Sequence, residues 1–162
     1  MKRIAMIAAM LLLTISSFAQ DGKSFYQKYS DTEGVSAVYI SSAMFRLMGR
    51  IPDLDVEGED INLAPIIQSL SGLYLISSED KAVGGDIKAD ADRFVAGGRY
   101  ELLLEVKDSG EIVRIYTMGT EKTVSGFVMI AADDAETTFI YLDGKMNRED
   151  LENLLAQSMA KE

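Results

Sequence analysis

The acidic segment at residues 53–60 has the residue types of a cation site. Carboxylates at its first, third and fifth positions, followed by Gly58 at the sixth, match the start of an EF-hand calcium loop. The twelfth position of such a loop carries a bidentate Glu, but here it is Ala64, and Pro65 follows. We therefore expect a solvated acidic loop, and we keep as an alternative a calcium-stabilised structural module with the candidate ligands Asp53, Asp55, Glu57 and Glu59.

Ser78 and Lys81 match the Ser-x-x-Lys pattern, in which a lysine activates a serine for acyl transfer. Enzymes with that pattern also need a Lys-Thr-Gly strand, and the nearest string, residues 122–124, has Val in place of Gly. The acids at positions 79 and 80 favour the charged form of Lys81, and a protonated lysine is no base. We therefore expect Ser77 or Ser78 to cap a helix. A small hydrolase that uses Ser78 or carboxylates on an envelope substrate is an alternative.

Two carboxylate pairs and one arginine pair are the other polar candidates. Paired carboxylates serve acid–base hydrolysis only where both converge in a cleft, and a turn or an outer helix face leaves them in solvent. Two arginines four residues apart would grip an anion or lie beside the acidic loop. We predict no catalytic residue, no cofactor and no metal site. The pairs are Asp90 with Asp92, Asp133 with Asp134, and Arg46 with Arg50.

His, Cys and Trp are all absent from the 162 residues. Without imidazole and thiol there is no Ser-His-Asp triad, no zinc site of the usual ligands, no disulfide and no lipid-bearing cysteine. The net charge of −10 repels phosphate backbones, so we expect no nucleic-acid partner.

Residues 1–19 read as a secretory signal peptide, with Lys2 and Arg3 before an apolar run and small residues at Ser17 and Ala19. Cleavage would leave residues 20–162 as a single domain with a periplasmic or secreted location. No apolar run in that part reaches the roughly 20 residues that span a bilayer, so we expect no transmembrane segment after cleavage.

The periodicity predicts an α+β fold with a mostly antiparallel sheet of about six strands and helices packed on it, in the order β-α-α-β-α-β-β-β-β-α. A short helix within residues 20–32 precedes these elements. The last four strands form a meander joined by short turns, and the methionines fill gaps in the core. The predicted strands are residues 35–41, 72–77, 100–107, 111–118, 124–131 and 136–143, and the predicted helices lie at 43–48, 64–70, 79–96 and after Asn147.

The sequence of the last two predicted strands also indicates which residues lie on each face of the sheet. Alternation places Phe127 and Met129 on one face of the sheet and Val128 and Ile130 on the other. Both strands are almost continuously apolar, which predicts either an uncovered sheet face or helices of the same chain over both faces. The last helix would cover one face with Leu151, Leu154 and Leu155.

Four strings carry a family resemblance: EGVSAVYISSAMFRLM from Glu33, LSGLYLISSED from Leu70, YELLLEVKDSGEIVRIYTMG from Tyr100, and FVMIAADDAETTFIYLDGKMNREDLENLL from Phe127. Together they resemble the domain of unknown function family 4252, exported proteins of Bacteroidota. The resemblance implies this architecture and a Gram-negative envelope, and it implies no enzyme activity and no functional residue.

These observations favour a non-enzymatic interaction or binding module of the envelope. Its expected partner is an unknown envelope protein or a second copy of the chain. The carboxylate or Ser78 hydrolase and the calcium-stabilised module are the alternatives.

Overall fold

The computed structural model describes residues 21–48, 64–97, 100–150 and 153. They form one six-stranded, fully antiparallel sheet with the strand order β1-β2-β6-β5-β4-β3. The predicted α+β class, with about six mostly antiparallel strands, is therefore confirmed. None of the helices in this part of the chain is long and apolar enough to cross a membrane. The elements are α1 (Gly22–Tyr29), β1 (Ser36–Ser41), α2 (Ser42–Met48), α3 (Ala64–Ser69), β2 (Leu70–Ser78), α4 (Lys81–Gly97), β3 (Glu101–Asp108), β4 (Glu111–Gly119), β5 (Thr123–Ala132) and β6 (Thr137–Asn147).

The C-terminal half is the predicted meander. Asp108 pairs with Glu111 across a two-residue turn, in which Ser109 and Gly110 have φ values of 46° and 99°. Positive φ at both central residues is the turn geometry that matches the twist of a hairpin. β2 inserts between β1 and β6, so the two halves of the chain share one continuous sheet.

The start of α4 corrects one prediction. Asp80, rather than Ser77 or Ser78, caps this helix, because its carboxylate accepts the N–H groups of Ala82 at 2.9 Å and Val83 at 3.0 Å. The helix therefore begins at Lys81, two residues later than predicted, and Ser78 is the last residue of β2.

Helices α1 and α4 cover one face of the sheet, called here the helix face. Phe25 of α1 stacks on Phe139 at 3.9 Å between ring centroids, and Ile87 of α4 is fully buried in the same core. Val128 and Ile130 point into this core, whereas Met129 belongs to neither core cluster and Phe127 packs with the other face, so the predicted alternation along β5 is confirmed.

A smaller cluster covers one end of the opposite face. Phe45 of α2 packs there with Leu70, Val124 and Met146, and Ile67 of α3 lies against them. Full burial of a large apolar side chain contributes about 1.5–3 kcal/mol of stability, so the contacts of this cluster favour the packing of both short helices against the sheet.

The last strand runs on to Asn147, beyond its predicted end at 143. The side chain of Asn147 accepts the N–H of Glu149 at 3.0 Å, and residues 148–150 and 153 are helical. The predicted stripe, Leu151, Leu154 and Leu155, lies outside the described residues, as do the acidic loop and its calcium candidates.

Candidate functional site

The face opposite α1 and α4, called here the open face, carries a row of apolar residues that crosses the whole sheet. Paired residues of antiparallel strands point to the same face, so the strand register determines which side chains are neighbours. One residue from each strand contributes to this apolar row, which is, in order across the sheet, Val38, Leu75, Ile140, Met129, Ile115 and Leu104.

The apolar row is not part of either core. None of its members belongs to the two core clusters, and the second cluster stops at the neighbouring row, which it covers through Ile40, Leu73, Leu142 and Phe127. Val38 and Leu104, at the two ends, are 45% and 47% exposed, and the four residues between them are half-buried. With strands about 4.8 Å apart, the row is about 24 Å long.

The row on the other side of the apolar row divides the open face into a polar and an apolar half. Small hydroxyl residues occupy this outer row on β1, β2 and β6, and aliphatic residues occupy it on β5, β4 and β3. Neither this outer row nor the apolar row contains a charged side chain, so nothing on them opposes an apolar partner. The outer row is Ser36, Ser77, Thr138, Ala131, Val113 and Val106.

The edge strand β3 adds exposed aliphatic residues beside the open face. All eight residues of β3 are exposed, and its aliphatic side chains, Leu102 to Leu104 and Val106, are 45–49% exposed. Edge strands are usually guarded by charge, and β3 has that guard only in part: Glu105 and Lys107 pair with each other on the helix face, where Glu105 also binds Arg114 at 2.6 Å. The open-face side of its second half presents Leu104 and Val106.

The helix face is chemically different, because tyrosines form its central row. Tyr39 stacks on Tyr74 at 4.9 Å, and Tyr74 lies 6.2 Å from Tyr141. Burial raises the pKa of Tyr74 and of Tyr141 to about 12, so both phenols are neutral hydrogen-bonding groups at physiological pH. Burial, together with the nearby charge of Asp21, also raises the pKa of Asp143.

Ser78 is a structural serine in this fold. It is 3% exposed, its hydroxyl donates to the carbonyl of Gly34 at 2.7 Å, and the same oxygen accepts the N–H of Asp80 at 3.2 Å. A depression of about 230 Å³ beside it is also lined by Lys81 and Asp133. Because the Ser78 hydroxyl donates to one backbone group and accepts from another, it is held as a structural group and not as an activated nucleophile.

The carboxylates of the first pair bind cations of the chain. Asp90 accepts hydrogen bonds from Lys28 and Tyr29, and these contacts outweigh burial and lower its pKa. Asp92 pairs with Lys88 at 2.7 Å and with Arg114 at 3.3 Å.

The second carboxylate pair lies in a turn, as expected. Asp133 accepts the N–H groups of Ala135 at 2.6 Å and Glu136 at 2.7 Å, and these bonds lower its pKa. Within the described residues there is no cluster of three or more carboxylates that could hold a metal ion.

The remaining candidates are the arginine pair and the methionines. Arg46 is exposed on α2, and Arg50 lies outside the described residues. Met146 fills the smaller core as predicted, but Met44 is half exposed, so the gap-filling role does not extend to every methionine. Met129 belongs to the apolar row.

Sequence reasoning located part of the open face, through the continuously apolar strands β5 and β6. It missed the contributions of β1, β2, β3 and β4, because the alignment of Val38 with Leu104 depends on five separate registers. The signal that could have pointed to β3 was its run of three leucines, which alternation alone does not explain.

Comparison with known proteins identifies the family. A family model described as a domain of unknown function, DUF4252, matches residues 29–154, from the end of α1 through all six strands. Searches of the curated proteins and of the solved structures found no match. The matched range covers well over half of the chain, and the protein therefore belongs to the DUF4252 family.

Proposed function

We propose that this protein is a non-enzymatic binding module of the cell envelope, and that it binds a protein partner on the open face of its sheet. The observation that carries the proposal is the apolar row, six aliphatic or thioether side chains across six strands with no charge among them. The largest contiguous apolar patch on a soluble protein is often a functional surface.

The open face supplies about half of the area of a standard protein interface. The apolar row and the outer row together have twelve positions, each about 4.8 by 6.7 Å, which gives a projected area of about 390 Å². A standard protein interface takes roughly 800 Å² from each partner. We therefore expect the partner to reach beyond these two rows as well, onto the exposed edge strand β3.

The arrangement of polar groups supports a binding role over catalysis. Ser78 and the carboxylates Asp90, Asp92 and Asp133 all have structural contacts, and the open face holds no titratable side chain on its two exposed rows. A catalytic site needs convergent polar groups in a concave, water-restricted place. A flat apolar surface offers complementarity to another protein instead.

The envelope location follows from the leader-like residues 1–19 and is part of the proposal. Mass spectrometry of the native protein should find its N-terminus at Gln20, without a lipid. A mature protein that retains Met1 in the cytoplasm would contradict this location.

Site-specific photo-cross-linking in living cells tests the binding surface. A benzophenone amino acid at Ile115, in the middle of the apolar row, should form a discrete adduct with one envelope protein. The same amino acid at Ala96, on the exposed side of α4, is the matched control and should form none. Equal labelling from both positions, or no adduct from Ile115, would contradict the proposal. An adduct with twice the mass of the chain would assign the surface to a second copy.

A further inference from the structure

We propose that two copies of this chain pair edge to edge through β3, antiparallel and with Val106 at the two-fold axis, so that their open faces form one surface. This inference rests on the proposed function and deepens it, because it names what lies beyond the edge that the partner reaches. The axis of such a pair stands normal to the sheet, so the pairing leaves the apolar row of each copy exposed.

The outer side of β3 carries backbone groups that are free to pair. β3 is the last strand of the sheet, and among the residues that the structure describes no strand lies on its outer side. Asp108 and Glu111 flank a two-residue turn, and such a flanking pair is hydrogen-bonded. Hydrogen-bonded pairs alternate along an antiparallel ladder, so the N–H and C=O groups of Glu105 and Lys107 point away from β4. An edge with such groups is able to pair with another strand.

The faces of the sheet and an irregularity in β3 limit the register of the pair. Because the axis is normal to the sheet, open-face residues pair only with open-face residues of the second copy. The register shifts between Leu102 and Leu104, and Leu102 lies on the helix face through its pairing with Tyr116. A pair centred on Leu104 would therefore set Leu102 and Val106, which lie on different faces, opposite each other. The regular segment that remains is residues 104–108.

Charge selects the register within this segment. Centring the pair on Glu105, Lys107 or Asp108 would set like charges directly opposite each other, which destabilises a sheet. Centring it on Val106 sets each Lys107 opposite the Glu105 of the second copy. The two residues already form an ion pair at 2.8 Å within one chain, so the charges around the axis would alternate in sign. The charges that guard this edge against other strands are thus complementary to a second copy.

The pairing also enlarges the apolar surface. The aliphatic half of the outer row ends at Val106, and across the axis it continues into Val106 and Val113 of the second copy. Two open faces of about 390 Å² give a projected area of about 780 Å², close to the roughly 800 Å² that a standard interface takes from each partner. The proposed partner therefore gains the area that one copy lacks by crossing β3 onto the second copy.

The edge contact itself is small. It comprises about four backbone hydrogen bonds, made by Glu105 and Lys107 of both copies, and the contact between the two Val106 side chains. Interfaces of this size are weak and transient. We therefore expect a weak dimer in the free protein, which a partner that bridges both open faces would strengthen.

The absence of cysteine from the chain allows a matched trapping test. Val106→Cys places a sulfur from each copy at the axis, where the Cα atoms of a non-hydrogen-bonded pair lie about 4.5 Å apart, within the range of a disulfide. Val38→Cys is the control, because Val38 and Val106 are both 45% exposed and lie on the open face of the two edge strands. Under mild oxidation of the whole chain, we expect at least tenfold more disulfide-linked dimer from Val106→Cys.

Reversal of one charge tests the register. Lys107→Glu, added to Val106→Cys, sets a glutamate opposite the Glu105 of the second copy and should lower the yield of linked dimer at least tenfold. Lys23→Glu makes the same change in net charge at an exposed position of α1 and should leave the yield unchanged. Both side chains are exposed, and circular dichroism of each variant checks that the fold is intact.

The other results contradict the inference. These are equal yields from the two cysteine variants, a higher yield from Val38→Cys, no linked dimer from Val106→Cys, and equal effects of Lys107→Glu and Lys23→Glu. Failure of this experiment is separable from failure of the proposed function, because the photo-adduct at Ile115 reports an envelope partner whether or not Val106→Cys forms a disulfide.

Discussion

Substitution of Gly22 by alanine should destabilise the protein, whereas the same change at Gly85 should stabilise it. A Cβ on Gly22 would lie 1.9 Å from the ring of Tyr141, so either α1 or the tyrosine must move. A Cβ on Gly85, in the exposed middle of α4, meets nothing within 4 Å. The two variants therefore separate a packing effect from a helix-propensity effect.

The magnitudes follow from these contacts. Overpacking of a close contact costs about 1–3 kcal/mol. Replacing glycine inside a helix by alanine contributes up to about 1 kcal/mol, and less at the first helical residue. We thus expect a loss of about 1–2 kcal/mol for Gly22→Ala and a gain of about 0.5–1 kcal/mol for Gly85→Ala.

Urea unfolding followed by far-ultraviolet circular dichroism measures both changes, with unchanged m-values as the check that the same surface unfolds. If Gly22→Ala were as stabilising as Gly85→Ala, α1 would not lie against Tyr141. The helix face would then be uncovered at that point, and the distinction between a covered and an open face would fail.

Three further outcomes are expected. Ser78→Ala should lower the free energy of unfolding by about 1–3 kcal/mol, because two hydrogen bonds to the backbone are lost, and it should abolish no activity. Hydrolysis of peptidoglycan fragments or esters by the wild type that disappears in a folded Ser78→Ala protein would contradict the account. The pKa of Asp90 is lowered in the folded state, so its contribution to stability is present above the unfolded-state pKa and is lost as the pH falls through the folded-state pKa; Asp90→Asn should therefore destabilise the protein near pH 7 and converge with the wild type in acid. The pKa of Asp143 is raised in the folded state, so its ionisation weakens the fold as the pH rises, and Asp143→Asn should stabilise the protein near pH 7. Melting temperature measured against pH checks both variants. Millimolar calcium and magnesium should shift the melting temperature alike, and a calcium-selective rise that is abolished by Asp53→Ala with Asp55→Ala would favour the metal site.

Much of the fold could be predicted because its signals are local. Period-two alternation fixes which side of β5 Val128 and Met129 occupy, and the Ser109-Gly110 turn fixes the hairpin between β3 and β4. The cap of α4 was misplaced because Ser78 and Asp80 are both good cap residues, and only the burial of Ser78 against Gly34 decides between them.

The candidate site could be predicted only in part, because it is a property of register between strands far apart in the sequence. Nothing near Leu75 indicates that β6, rather than another strand, supplies its neighbour Ile140. The exposure of Leu104 likewise depends on β3 being at the edge of the sheet, which short turns alone do not determine. Local pattern therefore finds apolar strands but does not show which of their faces is left uncovered.

The most direct test of the binding surface is the affinity of the partner captured at Ile115 for a protein with one charge in the centre of the apolar row. Ile140→Lys places that charge, and Ala96→Lys is the control with the same net charge. We predict at least tenfold weaker binding for Ile140→Lys, which corresponds to about 1.4 kcal/mol, with wild-type affinity for Ala96→Lys and folded protein in both cases. Unchanged affinity for a folded Ile140→Lys protein would contradict the open face as the binding surface.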